Sequence, residues 1–247
     1  MWSTWLMALV VALVVVQISS FCTTVYLHRT LAHRGLEINP FVSFFMRLHL
    51  WLATGMVPRE WVAVHRKHHQ YPDEQGDPHS PRIEGLWKIL FGNAVYYKRE
   101  ASNPETVKKY AHDIPADIFD RWVFNYGLVG PVVAMVILGF ALGPLVGIAT
   151  FFFQAGTYIF LSAIINSVCH MIGYKNFQNT ATNLQWVAFI TAGEGLHNNH
   201  HQYPGSAKFS MRKREFDPGW LLIRLLTVFR LARPVKVIRY EPSAVNP

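Results

Sequence analysis

Twelve of the 247 residues are histidine, and nine of them fall at spacings suited to metal binding. His65, His68 and His69 occupy positions i, i+3 and i+4, and His197, His200 and His201 repeat the pattern. On an α-helix those positions share a face, so each triplet presents three imidazoles in one direction. Asn166 and His170, four apart, also share a face. His28 and His33 are five apart, a looser match that a frayed helix end would converge. Neutral imidazole binds iron, copper, zinc and nickel. Nine rings are too many for one ion, so two metals with four or five nitrogens each are expected. Each ligating ring also needs its second nitrogen hydrogen-bonded, and Glu60, Asp77 and Glu194 are the candidate partners. His49, His79 and His112 stand alone and read as ordinary surface or core residues.

The elements that must position these rings are apolar. The chain is 51% apolar and only 15% charged, against about 25% charged for an ordinary soluble domain. That composition excludes intrinsic disorder. Its two cysteines, Cys22 and Cys169, exclude a disulfide scaffold, a four-cysteine zinc ribbon and a cysteine-held iron–sulfur cluster. Residues 1–28 and 122–174 contain no Asp, Glu, Lys or Arg. The first run lacks the basic start and cleavage site of a secretory signal, and its stretch 5–27 is long enough to cross a hydrocarbon core of about 30 Å. The second run has room for two spans, placed at about 123–142 and 145–167, with Gly143-Pro144 turning between them. Residues 41–57 carry Phe41, Phe44, Phe45, Leu48 and Leu52 on one helical face together with Arg47 and His49, so an interfacial amphipathic helix is expected there. Parity agrees: the pair His28/His33 and the first triplet share a site only if the chain between them crosses the membrane zero or two times, and residues 34–64 are too few for two crossings.

All 23 Lys and Arg lie in residues 29–121 and 175–247. Positive residues stay cytoplasmic, so the net charge of +8 reads as an orientation signal and not as a nucleic-acid footprint. The expected fold class is all-α: a multi-pass helical membrane protein of three spans plus interfacial amphipathic helices, N-terminus out and C-terminus in. A single domain over 1–247 would carry a cytoplasmic helical cap, residues 58–121 and 168–247, holding the di-metal site. Within the cap, short helices and loops are expected over 71–121, a short amphipathic helix over 182–193, and a helix over 220–232 started by Asp217-Pro218.

With these residues in place, the chain resembles the membrane-bound fatty acid desaturases, in particular the stearoyl-CoA/Δ9 group. The likeness runs through His28-Arg-Thr-Leu-Ala-His33-Arg34, Glu60-Trp61-Val-Ala-Val-His65-Arg-Lys-His68-His69, Gly76-Asp77-Pro78-His79-Ser80, Asn166-Ser-Val-Cys-His170 and Gly193-Glu194-Gly195-Leu196-His197-Asn-Asn-His200-His201. It covers roughly residues 10–230 and implies a helical membrane domain whose cytoplasmic cap holds two irons. The implied iron ligands are His28, His33, His65, His68, His69, His170, His197, His200 and His201, with Asn166 reaching one metal through water and Trp61 as a wall of the acyl tunnel. The implied reaction spends O2 and two electrons to place a cis double bond in a saturated acyl chain.

The departures from the family pattern set further expectations. Almost nothing precedes the first His-bearing span, as in a compact bacterial-type member of an inner membrane. No fused electron carrier is present, so electrons are expected from an external protein such as ferredoxin, rubredoxin or cytochrome b5 with its reductase. Where animal enzymes place an Arg-Asp pair against coenzyme A, this chain has Ala63-Val64, which shifts the expected substrate from acyl-CoA toward an acyl chain on a membrane lipid or carrier protein. Lys88, Lys98, Arg99, Lys108 and Lys109 are available to an acidic head group, although solvated surface is their default role. Alternatives on the same centre are hydroxylation, acetylenation or terminal desaturation. Alkane hydroxylases carry Glu after the first His of their boxes, where this chain has Arg29, Arg66 and Asn198. From other classes, a His-rich membrane haem protein or a zinc protein remains open, although zinc would leave at least five of the nine rings unexplained.

Overall fold

The computed structural model describes residues 2–238, so residues 239–247 of the expected cap lie outside the described residues. The chain opens with α1 (Trp2–Cys22), which continues without a break as a π-helix over Thr23–Ala32. A short strand β1 (Leu36–Ile38) leads into α2 (Pro40–Thr54). Asn39 caps α2 by accepting the Phe41 N–H, Pro40 takes the first helical position, and Gly55 ends the helix with a φ of +68°. Next comes α3 (Pro58–Gln70), bent by 87° from α2. Three helices follow: α4 (Pro81–Glu84), α5 (Leu86–Ala101) and α6 (Pro104–Tyr110). A π-turn over Asp120–Phe124 precedes α7 (Val129–Leu142), and Gly143 turns the chain into α8 (Pro144–Met171). The rest is α9 (Gln185–Ile190), α10 (His197–Gln202), α11 (Pro218–Val228) and β2 (Ala232–Pro234).

Among the described residues, two helices are long and apolar enough to cross a membrane: Ser3–Ala32 and α8. The bent pair α2 and α3 would count as a third only if taken as one broken span. The stretch 123–142, expected as one span, is not a single helix. Its first residues are taken up by the π-turn and a non-helical break, and α7 has only 14 residues, about 21 Å at ~1.5 Å per residue and short of a ~30 Å core. The break has a packing cause. Gly127 crosses Gly55 so closely that a Cβ on Gly127 would sit 2.5 Å from the Gly55 carbonyl oxygen, and the Trp51 indole N–H donates to the Tyr126 carbonyl. Gly130 and Gly147 give α7 equally close approaches to Trp51 of α2 and to Leu138 and Gly139 across the α7–α8 turn.

The expected helix over 41–57 appears as α2. Phe41 and Phe45 are exposed, while Leu50, Trp51 and Arg47 are buried. Arg47 pairs with Asp117 and Asp120, which ties α2 to the π-turn before α7. The C-terminal segment departs from expectation in its helix end and in a small sheet. The helix begun at Asp217-Pro218 stops at Val228 instead of running to 232, because Arg230 takes a φ of +58° and reverses the chain. The residues after it pair antiparallel with β1, Leu36 opposite Pro234 and Ile38 opposite Ala232. This small sheet fastens the C-terminal segment beside the end of the π-helix.

Candidate metal centre

Four elements deliver the nine imidazoles, and they arrive as two groups. The nitrogens of His28, His33, His65, His69 and His200 lie within 4.8 Å of one another, and so do those of His68, His170, His197 and His201. Each triplet splits instead of acting as one unit. On α3, His65 and His69 (i, i+4) enter the five-ring group and His68 enters the four-ring group. On α10 the division reverses: His197 and His201 (i, i+4) enter the four-ring group and His200 the five-ring group. The π-helix adds two rings to one group, and the end of α8 adds one to the other.

The pair His28 and His33 is brought together by regular structure and not by fraying. In a π-helix the N–H of residue i+5 reaches the carbonyl of residue i. The His33 N–H donates to the His28 carbonyl at 3.1 Å, and the rings stand 4.9 Å apart. Five-residue spacing is therefore in register for this local geometry, although it is out of register for an α-helix.

Carboxylates hold three of the rings. Glu194 accepts from His28 Nδ1 at 2.7 Å and Asp77 from His68 Nδ1 at 3.0 Å. Asp73, which no sequence pattern marks, accepts from His170 Nδ1 at 2.8 Å. Glu60 is not such a partner: it pairs with Lys98 at 3.6 Å and lines a cavity. It sits five residues before His65, about 140° round an α-helix at ~100° per residue, so it faces away from the ring. His79, which stands alone in sequence, is buried beside His68 with ring centroids 4.7 Å apart. His49 bonds the Ser19 hydroxyl, and His112 is exposed. Asn166 donates its amide to Asn93 and lines the same cavity as Glu60.

The electrostatics favour neutral rings. Burial, followed by the charge of neighbouring imidazoles, pushes His33, His197, His200 and His201 well below the ordinary histidine pKa. Asp73 is desolvated, which alone would raise its pKa, but the hydrogen bond and charge of His170 together with hydrogen bonds from Thr180 and Ser80 bring it down to about 2. Asp77 is likewise desolvated and is held well below the usual carboxylate range by His68.

The donor set suits a pair of metal ions. A ring whose Nδ1–H is given to a carboxylate presents a bare lone pair at Nε2. His28, His68 and His170 therefore aim lone pairs at neighbours whose Nε2 atoms are 2.9, 3.3 and 3.0 Å away, on His200, His201 and His197. His200 Nε2 also lies 2.9 Å from His69 Nε2, and one N–H cannot satisfy both contacts. A cation within each group would accept these lone pairs at once.

An apolar cavity of about 730 Å³ runs beside the five-ring group, with Met56, Trp61, Tyr97, Phe151 and Tyr158 in its wall. Trp61 stacks on His65 with centroids 4.8 Å apart and planes 13° from parallel, so one indole separates the cavity from the imidazoles. Val57, Glu60 and Asn125 also border a second recess of about 600 Å³ that holds Arg59, Lys108 and His112. A separate recess of about 400 Å³ is lined by His33, His69 and His201 together with Arg66, Glu74 and Thr180.

Comparison with known proteins places this architecture. The family model for fatty acid desaturases matches residues 3–213. The sn-2 palmitoyl-lipid 9-desaturase of Nostoc sp. (strain 36) is 34% identical over 226 residues, covering 89% of this chain and 77% of that protein. Delta-9 acyl-lipid desaturase 1 of Arabidopsis thaliana is 30% identical over 242 residues, 93% of this chain and 75% of the relative. The sn-1 stearoyl-lipid 9-desaturase of Anabaena variabilis is 29% identical over 216 residues, with 87% and 78% covered. A model match across most of the sequence and relatives aligned along three quarters of their length make the conclusion plain: this chain belongs to the fatty acid desaturase family and is an oxidoreductase of that kind.

Proposed function

We propose that the protein introduces a cis double bond at the Δ9 position of a saturated acyl chain carried on a membrane lipid, with two irons held by the nine histidines. The observation that carries this reading is the convergence of two imidazole groups beside an apolar cavity, with Trp61 between them. Bound iron would supply the reduction of O2 and the removal of two hydrogens from the chain. The residues supply the rest. Met56, Tyr97, Phe151 and Tyr158 hold the acyl chain dry, and Trp61 fixes the approach of its reacting carbons. Glu194, Asp77 and Asp73 fix the tautomers of His28, His68 and His170. Asn166, on the cavity wall, would reach one metal through a water. Arg59 and Lys108 have no acidic partner among the described residues, and they suit an anionic head group at the mouth of the cavity. The names of the relatives favour a lipid-bound chain over acyl-CoA.

The two electrons would come from a separate donor protein, with ferredoxin, rubredoxin and cytochrome b5 as the candidate classes, since two buried free cysteines offer no cluster of the chain's own. We place the chain in a bacterial inner membrane with the metal centre and C-terminus cytoplasmic. The last turns of α1's π extension and of α8 meet at the metal groups, so both helices would cross in the same direction. Two parallel spans need a return crossing between them, and α7 fills that role despite its length, with α2 lying in the interface.

Expression in a host lacking desaturases tests the reading. Lipid analysis is expected to show a Δ9 cis bond on glycerolipid acyl chains, absent for His68→Ala or His200→Ala. Unsaturation at another position, or only in the CoA pool, overturns the proposed regiochemistry or carrier.

A further inference from the structure

Asp73 is set up at unusual cost for a loop residue. Its φ is +62°, a left-handed conformation that glycine takes freely and that other residues adopt uncommonly. Its side chain is 1% exposed. Several polar groups are aimed at its carboxylate or its backbone. The Ser80 hydroxyl donates to one oxygen at 2.8 Å, His170 Nδ1 donates to the other at 2.8 Å, and Arg82 Nε stands 3.5 Å from that second oxygen. Its backbone N–H is held at 2.9 Å by Asp77, the residue that also orients His68. One ten-residue loop between α3 and α4 thus carries two carboxylates that grip rings from two different elements, α3 and α8. Both rings belong to the four-imidazole group. Among the described residues, the five-imidazole group has only Glu194 in the equivalent place. Backbone strain that persists at a non-glycine residue points to a side chain the site needs.

We infer that Asp73 is a positioning residue for one metal of the pair: its carboxylate fixes the tautomer and aim of His170 and, with Asp77, gives the four-imidazole group two anionic supports where the five-imidazole group has one. The inference rests on the di-metal reading above but concerns only how the second metal is retained. Arg82, in the first turn of α4, strengthens the arrangement by donating to the His170 carbonyl at 2.9 Å, so the loop and the helix that follows it fix the ring and the backbone of that residue.

The test is equilibrium competition between the purified, iron-loaded full chain and a ferrous chelator, read as iron retained per chain. Asp73→Asn keeps an accepting oxygen and tolerates the left-handed backbone but removes the charge. It is expected to weaken one of the two iron equivalents 10- to 100-fold, the usual loss when a carboxylate behind a ligating histidine is changed, and to leave the other untouched. Glu194→Gln is expected to weaken the opposite equivalent. Asp73→Gly removes the accepting oxygens altogether and should lose the same iron at least as readily as Asp73→Asn. Ser80→Ala disturbs the loop and the α4 cap without touching His170 and should leave both equivalents in place. An Asp73→Asn chain that keeps both irons as tightly as the wild type, or loosens both equally, overturns the inference. A wild-type chain that retains fewer than two irons overturns this inference and the di-metal reading together.

Discussion

A neutral imidazole has one proton and one lone pair, and the nine rings divide that capacity between support and coordination. His28, His68 and His170 give the proton to Glu194, Asp77 and Asp73 and turn the lone pair inward. Burial keeps His33, His197, His200 and His201 neutral, with the histidine pKa pushed down in each. This has a consequence for the metal-free protein. Below about pH 6.5 these rings take up protons in the unfolded chain but not in the folded one, so stability rises with pH across that range and is complete above it. Each ring costs up to about 1.4 kcal/mol per pH unit of acidification until its folded pKa is reached. Thermal unfolding of the metal-free protein in detergent should therefore move to lower temperature between pH 7.5 and 5.5. An unfolding temperature that is flat or rises on acidification would show that the rings are not buried as neutral bases. At this scale the sequence is a good guide to the ligating types, because α-helical spacing is fixed by geometry. It is a poor guide to Asp73 and His79, whose partners lie across the fold and leave no periodic trace.

Among elements, the π-helix is the piece that local spacing rules miss. Hydropathy marks Thr23–Ala32 only as the end of an apolar run, yet its i→i+5 register is what pairs His28 with His33. Arg29 anchors that segment. It is fully buried, donates to Asp217 at 2.9 Å and to the Ala207 carbonyl at 2.8 Å, and lies over the Phe209 ring. Asp217 in turn caps α11 by accepting the Trp220 N–H. One buried ion pair thus joins the ligand-bearing helix to the C-terminal helix. Arg29→Met removes one partner and leaves the other charge uncompensated, a change that costs about 3–5 kcal/mol. The expected result is a markedly lower unfolding temperature in detergent, partly restored by adding Asp217→Asn; an unchanged temperature would mean the pair does not hold these elements together. The shortened α7 is a second case beyond the reach of sequence. A charge-free window averages over Gly127 and cannot show that it must cross Gly55 in close contact.

At the scale of the whole molecule, residues far apart in sequence meet because two long apolar helices end at the same level. The π extension of α1 brings His28 and His33 there, and α8 brings His170, while α3 and α10 lie between them and each serves both groups. The broad plan is legible in sequence because charge-free runs and histidine spacing are both long-range patterns. The small sheet between β1 and β2, which closes the C-terminal segment onto the π-helix, depends on a chain reversal at Arg230 that no pattern announces. The division of imidazoles into five and four is a property of the assembled fold alone, and the account stands on it. Elemental analysis of the protein purified without oxygen measures it directly: the account predicts two irons per chain, and one iron or none would contradict it.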